Sequence, residues 1–264
     1  MKILEVKNLN VTLKNGKKLI DNVSFSLEEN SVLGIIGESG SGKSTTTKAI
    51  LKLLNEKTFN FSGKIFLEGQ NISTFNEKQM QKVRGKKISV ILQNPMTSLN
   101  PLVRIGNQMI ETLKFHYKIN KKNAYDMAFE ALSLMEFENI QRVMKSYPYE
   151  LSGGMLQRVI ITIALLLKPK ILIADEPTTA LDIATRDIII KEIMELKNKF
   201  GISIIYITHE NEIIKNISDE IVVLKDGKII EKGTKEKLVQ YPKEQYTKTL
   251  LEGKLVFKEK VKIC

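Results

Sequence analysis

The 264-residue sequence has one cysteine, no tryptophan and no long uninterrupted apolar segment. A single thiol, Cys264 at the last position, excludes an intrachain disulfide and any metal site built from cysteines alone. The longest apolar run, Val159 to Leu167, is much shorter than the ~20 residues that a membrane-spanning helix needs. We therefore predict a globular protein in which this run forms a buried helix.

A secretion signal is also missing from the start of the sequence. The first residues, MKILEVKNLNV, contain neither the apolar stretch nor the small-residue cleavage site of a signal peptide. They alternate apolar and polar side chains, as a strand does. We expect a protein that stays in the cytoplasm.

Acidic residues are fewer than basic ones, 30 against 41, and the formal net charge is +11. Such an excess can attract nucleic acid or anionic lipid. The lysines, however, are interleaved with glutamates, and neither an arginine-rich arm nor an aromatic RNA-binding motif accompanies them. We favour an ordinary solvated surface over a nucleic-acid interface. A position beside an anionic membrane would also suit this charge.

The order of strand and helix patterns predicts an α/β fold. Two strand patterns flank Asn15-Gly16, a strong hairpin signal, and a second hairpin is expected around Asp226-Gly227. Between them, strand and helix patterns alternate, which favours a mainly parallel sheet with helices on its faces. The predicted strands are 4–13, 18–28, 32–36, 63–72, 87–92, 170–174 and 202–208, and the predicted helices are 43–54, 155–167 and 185–199.

The stretch from 94 to 158 differs from this pattern because it begins in turn residues and then becomes helical. We predict one domain over residues 1–264. Its nucleotide-binding core would comprise 1–93 and 159–235, with an N-terminal antiparallel β-subdomain. A helical insertion would span 94–158, and a short helical tail 236–264.

The segment GESGSGKS, from Gly37 to Ser44, matches the G-x-x-x-x-G-K-[ST] pattern of a phosphate-binding loop. Glycines let backbone N–H groups approach phosphate oxygens, and the following helix adds the positive end of its dipole. Lys43 would bring a charge near the β- and γ-phosphates, and the Ser44 hydroxyl would bind Mg²⁺. The predicted nucleotide-binding residues here are Gly37, Glu38, Ser39, Gly40, Ser41, Gly42, Lys43, Ser44 and Thr45.

A second motif, KILIADEP, places Asp175 and Glu176 directly after a buried strand. Ligands of open α/β sheets bind at the carboxyl ends of the strands. Asp175 could therefore hold Mg²⁺, and Glu176 could polarise the attacking water as a general base. The phosphate-binding loop alone predicts only a nucleotide-binding protein, which could be a kinase, a GTPase or a helicase.

The stretch LSGGMLQR, from Leu151 to Arg158, resembles the signature of ABC ATPases. Other pieces of that family pattern occur in order: Gln93 matches the Q-loop glutamine, Ala180-Leu181-Asp182 the D-loop, and His209 the switch histidine. The resemblance extends over essentially the whole chain. It implies a P-loop NTPase fold that binds ATP and Mg²⁺.

The resemblance also implies roles for these residues. Two chains would pair head to tail, so that the signature of one covers the ATP held by the other. Gln93 and His209 would join Glu176 in catalysis, and Gln93 would also join Ser44 and Asp175 around Mg²⁺. The expected contacts to ATP across the dimer come from Ser152, Gly153, Gly154 and Asp182.

One position departs from the family pattern. ABC ATPases commonly stack adenine on an aromatic side chain in the first hairpin, and the matching residue here is Leu13. We expect adenine to rest on an aliphatic surface and to lose about 1 kcal/mol of ring stacking.

Four segments, NPMTSLNPLVRIGNQM, SYPYELSGGMLQR, ADEPTTALD and YPKEQYTKTLL, resemble the peptide/nickel import group. This implies membrane permease partners, a second ATPase chain and, indirectly, an extracytoplasmic solute-binding protein. With one cysteine, we expect no iron–sulfur cluster, and we favour a metal or metal-chelate cargo over oligopeptides. The alternative is a non-transport ABC ATPase acting in translation or DNA repair.

Overall fold

The computed structural model describes residues 1–93, 98–135, 137–179 and 181–253, and these residues form two β-sheets with surrounding helices. Three predicted features lie partly or wholly outside the described residues: the beginning of the helical insertion at 94–97, Ala180 of the D-loop, and the end of the tail with Cys264. Among the described residues, we find no helix with the length and apolar character required to cross a bilayer.

The first sheet is antiparallel and contains four strands in the order β2-β1-β4-β5. The predicted first hairpin is confirmed, since β1 and β2 pair on either side of Asn15-Gly16. Inward-facing apolar side chains of these strands are buried against the second sheet. The strands are β1 (Lys2–Leu13), β2 (Lys18–Glu28), β4 (Phe59–Leu67) and β5 (Gln70–Asn71).

The second sheet has six strands in the order β10-β9-β3-β8-β7-β6, and every neighbouring pair is parallel except β9–β10. Its central strands are buried throughout, as expected where helices or another sheet cover both faces. The predicted mainly parallel sheet is confirmed. Its strands are β3 (Val32–Ile36), β6 (Ile88–Ile91), β7 (Ile171–Asp175), β8 (Ser203–Ile207), β9 (Glu220–Lys225) and β10 (Lys228–Thr234).

Most helices of the described chain lie between β6 and β7 or after β7. A 3₁₀ turn, Pro148–Glu150, precedes α6. The helices are α1 (Lys43–Ile50), α2 (Glu77–Val83), α3 (Ile105–Tyr117), α4 (Lys121–Leu132), α5 (Ile140–Lys145), α6 (Gly153–Leu165), α7 (Ile183–Phe200), α8 (Asn211–Ile217), α9 (Lys235–Gln240) and α10 (Gln245–Leu251).

Two features of these helices correct the sequence prediction. The predicted helix 43–54 ends at Ile50, because Lys52 adopts a left-handed conformation and the Arg84 guanidinium binds the carbonyl oxygens of Leu51 and Lys52 at 2.8 and 3.0 Å. The short helices α2 and α8 were not predicted at all. Each covers only seven residues, so its apolar pattern is too brief to stand out.

Helix α6 contains most of the apolar run that was predicted to be a buried helix, and this prediction is confirmed. Its inward side chains join the core formed by α3, α4 and the parallel sheet. Arg158 of α6 and Glu192 of α7 form an ion pair with a closest distance of 2.9 Å. Helix α6 therefore links the helical insertion to the sheet. The boundaries at residues 93, 158 and 235 stay predictions.

Candidate functional site

The phosphate-binding loop lies between β3 and α1, and glycine geometry shapes it. Gly42 precedes α1 with a φ of 107°, and a Cβ atom there would approach Ile20 Cδ1 to 2.6 Å. A side chain is therefore excluded both by the backbone conformation and by the neighbouring strand β2. The loop opens onto the N-terminus of α1, whose free N–H groups and helix dipole suit an anion.

Lys43 folds back over this loop. Its Nζ atom donates hydrogen bonds of 2.7 Å to the Gly37 carbonyl oxygen and 2.9 Å to that of Glu38. Burial lowers the pKa of Lys43, while Glu176 and Asp175 act against this lowering. The ammonium group is thus held at the loop, partly shielded from water, where a phosphate would gain most from its charge.

The residues predicted to bind Mg²⁺ fit that ion chemically. Burial raises the pKa of Asp175, and a hydrogen bond from Ser44 opposes the shift. One carboxylate oxygen of Asp175, Oδ1, is buried without a hydrogen-bond partner. A buried carboxylate oxygen beside a hydroxyl group provides the oxygen ligands that Mg²⁺ prefers. Within the part of the chain that the structure describes, no group of three or more acidic, histidine or cysteine side chains could hold a metal.

Three side chains with predicted catalytic roles meet at the carboxyl end of β7. The Nε2 atom of Gln93 donates a 2.9 Å hydrogen bond to Oε2 of Glu176. The Nδ1 atom of His209 lies 3.4 Å from Oε1 of the same carboxylate. Gln93 follows β6 and His209 follows β8, so adjacent parallel strands deliver these groups to one edge of the sheet.

The backbone of Glu176 is held in an unusual conformation. Its φ of 51° lies in the left-handed region, which costs a residue with a side chain on the order of 1 kcal/mol. The Glu176 N–H donates a 2.8 Å hydrogen bond to the carbonyl oxygen of Ile207 at the end of β8. This bond fixes the backbone of the residue whose carboxylate contacts Gln93 and His209.

Sequence reasoning missed two contacts of this site. The Thr179 hydroxyl donates a 3.2 Å hydrogen bond to Oε2 of Glu176 from the turn that follows β7. Arg186 of α7 forms an ion pair with Glu210, the neighbour of His209. The contact between Thr179 and Glu176 could have been predicted from the sequence, because a threonine three residues after an acid in a turn can bind its carboxylate. The second joins residues 24 positions apart, and no local pattern indicates it.

The predicted signature lies at the start of α6. Its helix begins at Gly153 and not at residue 155, because the Ser152 hydroxyl caps the first turn by accepting a 3.4 Å hydrogen bond from the Met155 N–H. A Cβ atom on Gly154 would lie 2.9 Å from Cγ2 of Thr185 in α7. The signature and the start of α7 are therefore in direct contact.

Asp182 caps α7 and lies beside the signature. Its carboxylate accepts hydrogen bonds of 3.0 Å from the Thr185 N–H and 2.7 Å from the Thr185 hydroxyl. The backbone hydrogen bond is the main reason that the pKa of Asp182 is lowered. Among the hydrogen bonds and ion pairs of the described residues, none joins Ser152–Gly154 to residues 37–45.

A glycine-rich loop before a helix, a buried aspartate and a glutamate bound by glutamine and histidine define a P-loop nucleotide hydrolase. A model of the ABC transporter family matches residues 20–179. The chain belongs to this family, and it binds and hydrolyses ATP as an ABC ATPase subunit.

Relatives of known role extend over almost the whole chain. The metal-staphylopine import system ATP-binding protein CntD of Staphylococcus aureus (strain NCTC 8325 / PS 47) is 40% identical over 96% of this chain and 94% of its own length. The oligopeptide transport ATP-binding protein OppD of Bacillus subtilis (strain 168) is 43% identical over 95% of this chain and 71% of its own length. These names favour the importer prediction over a role in translation or DNA repair.

A solved structure supports the fold. The ATP-binding cassette MJ0796, in a dimeric post-hydrolysis state bound to ADP and Pi, matches with a TM-score of 0.77 and 29% sequence identity. The match covers 88% of this chain and 98% of the other. The predicted fold class, an ABC ATPase core with an antiparallel subdomain and helices, is confirmed.

Proposed function

We propose that this chain hydrolyses ATP to drive an importer of metal ions or metal chelates, with oligopeptides as the second candidate cargo. The observation that carries the catalytic part is the convergence of Gln93 and His209 on the Glu176 carboxylate. The cargo is proposed from the resemblance of SYPYELSGGMLQR to metal importers and from the name of the staphylopine relative. The oligopeptide relative is the reason for the second candidate.

The residues divide the chemistry between them. Lys43 and the loop N–H groups bind the phosphates, and Glu176 accepts a proton from the attacking water as general base. Gln93 and His209 hold the Glu176 carboxylate and the water in line with the γ-phosphate. Ser44, Asp175 and Gln93 would hold Mg²⁺, which supplies positive charge to the phosphate oxygens when it is bound.

Two ATPase chains would share each nucleotide. Ser152 and Gly153 are exposed at the N-terminus of α6, and Ile183 beside Asp182 is 70% exposed. An exposed helix N-terminus suits a γ-phosphate, and an exposed apolar side chain suits a protein interface. We propose a head-to-tail dimer in which Ser152, Gly153, Gly154 and Asp182 of one chain complete the site of the other.

The membrane permease would bind next to Gln93. A cavity of about 280 Å³ lies between α1, β4 and the end of β6, and its lining includes Leu53, Leu92 and Asp175. Leu53 and Leu92 are 51% and 40% exposed, so an apolar surface faces outwards one residue before Gln93. An apolar segment of a permease that fits this surface would sense the position of Gln93. The chain would then work at the cytoplasmic face of the membrane, with a solute-binding protein acting on the far side.

The catalytic proposal is tested with Glu176→Gln. This variant keeps the shape of the side chain and removes the base, so phosphate release should fall by at least ~100-fold while ATP binding persists. Trapped ATP should then shift the variant to a dimer in gel filtration. Glu212→Gln, an exposed change in α8, is the matched control and should behave as the unmodified protein does. Phosphate release at the unmodified rate in Glu176→Gln would exclude Glu176 as the base.

The cargo is tested by uptake. A strain lacking this chain should lose accumulation of a ⁶³Ni-labelled metal chelate, and the unmodified chain should restore it, whereas Glu176→Gln should not. Loss of oligopeptide uptake with unchanged metal uptake would identify the second candidate as the cargo.

Leu53→Asp tests the docking surface, because it should abolish uptake while the purified chain still hydrolyses ATP. The control is Val239→Asp, at another apolar position, where the side chain is 38% exposed. This change should alter neither cargo uptake nor ATP hydrolysis.

A further inference from the structure

Helix α10, the last helix of the described residues, makes hydrogen bonds to the catalytic core that include three at separate places. The Glu231 carboxylate of β10 accepts hydrogen bonds of 3.0 and 3.1 Å from the N–H groups of Lys243 and Glu244, just before the helix. The carbonyl oxygen of Leu250 accepts a hydrogen bond from the side chain of Asn211, which begins α8 two residues after His209. The third attachment reaches the phosphate-binding loop.

That third contact is made by Tyr246. Its hydroxyl oxygen accepts a 3.3 Å hydrogen bond from the N–H of Glu38, the second residue of the loop. Tyr246 is half-buried, and the ammonium group of Lys225 lies 4.5 Å from the centre of its ring. Burial raises the pKa of Tyr246, so its hydroxyl stays neutral at physiological pH. The ring is therefore held from both the β9 side and the loop side.

The contact acts on the peptide group that joins Gly37 to Glu38. Its N–H binds Tyr246, and its carbonyl oxygen, that of Gly37, accepts the 2.7 Å hydrogen bond from Lys43 Nζ. Because a peptide group is planar, its N–H and C=O turn together. A rotation that breaks the Tyr246 contact would therefore also move the oxygen that holds the Lys43 ammonium group.

We infer that Tyr246 is a positioning residue for ATP binding, which orients the Lys43 ammonium group through the Gly37–Glu38 peptide. The inference rests on the proposed role of Lys43 in binding phosphate. It gives helix α10 a function in the active site, although Tyr246 lies 208 residues from Glu38 in the sequence. The attachment to Asn211 joins the same helix to the segment that carries His209.

The test is Tyr246→Phe in the full chain, with ATP affinity measured by calorimetry. This change removes one oxygen atom and keeps the ring over Lys225. We expect the Kd for ATP to rise by about two- to tenfold, the range that corresponds to one intramolecular hydrogen bond. Tyr241→Phe, on the same tail but 74% exposed, is the matched control and should leave the Kd unchanged.

A double-mutant cycle separates positioning from a general structural effect. If Tyr246 acts through Lys43, then Tyr246→Phe should have no further effect on ATP affinity in a Lys43→Ala background. An equal loss of affinity in both backgrounds, or no loss in the Tyr246→Phe single variant, would overturn the inference. Unchanged ATP affinity in Lys43→Ala alone would instead count against the proposed role of the phosphate-binding loop, so the two failures are distinguishable.

Discussion

The Nε2 atom of Gln93 lies 2.9 Å from Oε2 of Glu176, although 83 residues separate the two in the sequence. This hydrogen bond joins the ends of the neighbouring strands β6 and β7. It also joins Glu176, the proposed general base, to Gln93. Leu92, the residue before Gln93, lines the proposed permease surface. A displacement of Gln93 by the permease would therefore change the orientation of the Glu176 carboxylate.

The first prediction concerns this hydrogen bond. Gln93→Ala should lower kcat for ATP hydrolysis about tenfold, because a hydrogen bond to a charged group contributes ~1.5 kcal/mol. The Kd for ATP should change less than twofold, since the phosphates are bound by the loop at 37–45. Steady-state phosphate release and calorimetry measure the two quantities. Gln240→Ala, at the exposed end of α9, should change neither, and a fully active Gln93→Ala would contradict the assignment.

The second prediction follows from the buried carboxylate of Asp175. Burial raises its pKa above the ordinary value of 3.8, so the charged form is less favourable in the folded chain than in the unfolded one. This cost is present at neutral pH and disappears as the pH falls below 3.8. Asp175→Asn should therefore stabilise the nucleotide-free protein at pH 7 and raise its Tm.

The same variant should lose Mg²⁺-dependent hydrolysis, because an amide is a weaker Mg²⁺ ligand than a carboxylate. Thermal unfolding at pH 7 and phosphate release over a Mg²⁺ titration check both effects. Asp187→Asn, an exposed change in α7, is the control for the altered charge. If Asp175→Asn unfolded at a lower temperature than the unmodified protein, a net burial cost at Asp175 would be excluded.

The third prediction tests the contact between the signature and α7. In Gly154→Ala the new methyl group would lie 2.9 Å from Cγ2 of Thr185, and such overpacking costs about 1–3 kcal/mol. Thr185→Ser removes Cγ2 and keeps the hydroxyl that binds Asp182. The double variant should therefore recover most of the free energy of unfolding in a urea titration. Gly153→Ala, where the nearest atom is 3.8 Å away, is the control. Equal stability of the single and double variants would exclude the clash.

Local sequence patterns were sufficient for the parallel sheet, the two hairpins and the position of the phosphate-binding loop. Each of these depends on residues close in sequence: apolar runs for the strands, Asn15-Gly16 and Asp226-Gly227 for the turns, and GESGSGKS for the loop. Motifs also identified Gln93, Glu176 and His209. The structure brings these three together because their strands are neighbours in one sheet.

Contacts between distant segments were not predictable in this way. Arg84 ends α1 from more than 30 residues away, and Tyr246 reaches Glu38 from the other end of the chain. The close approach of Gly154 to Thr185 depends on how two helices pack, which no single segment encodes. Helix α2 had a readable signal that was overlooked: Asn76 and Gln79 form a capping box at its start.

The last prediction concerns nucleotide selectivity. Leu13 ends β1 beside the first hairpin, opposite Phe59 of β4, and is half-buried. Leu13→Tyr would offer adenine an aromatic face, so the Kd for ATP should fall about fivefold, the equivalent of ~1 kcal/mol of stacking. Leu13→Ile provides a control of similar volume without a ring and should bind ATP as the unmodified chain does.

The comparison of ATP with tripolyphosphate makes this prediction specific to the base. Both compounds carry the phosphates that the loop at 37–45 binds, but only ATP carries adenine. Leu13→Tyr should therefore improve ATP affinity and leave tripolyphosphate affinity unchanged in parallel titrations. An equal gain for both compounds would show that the substitution acts on the loop, and no gain for either would show that adenine does not contact position 13.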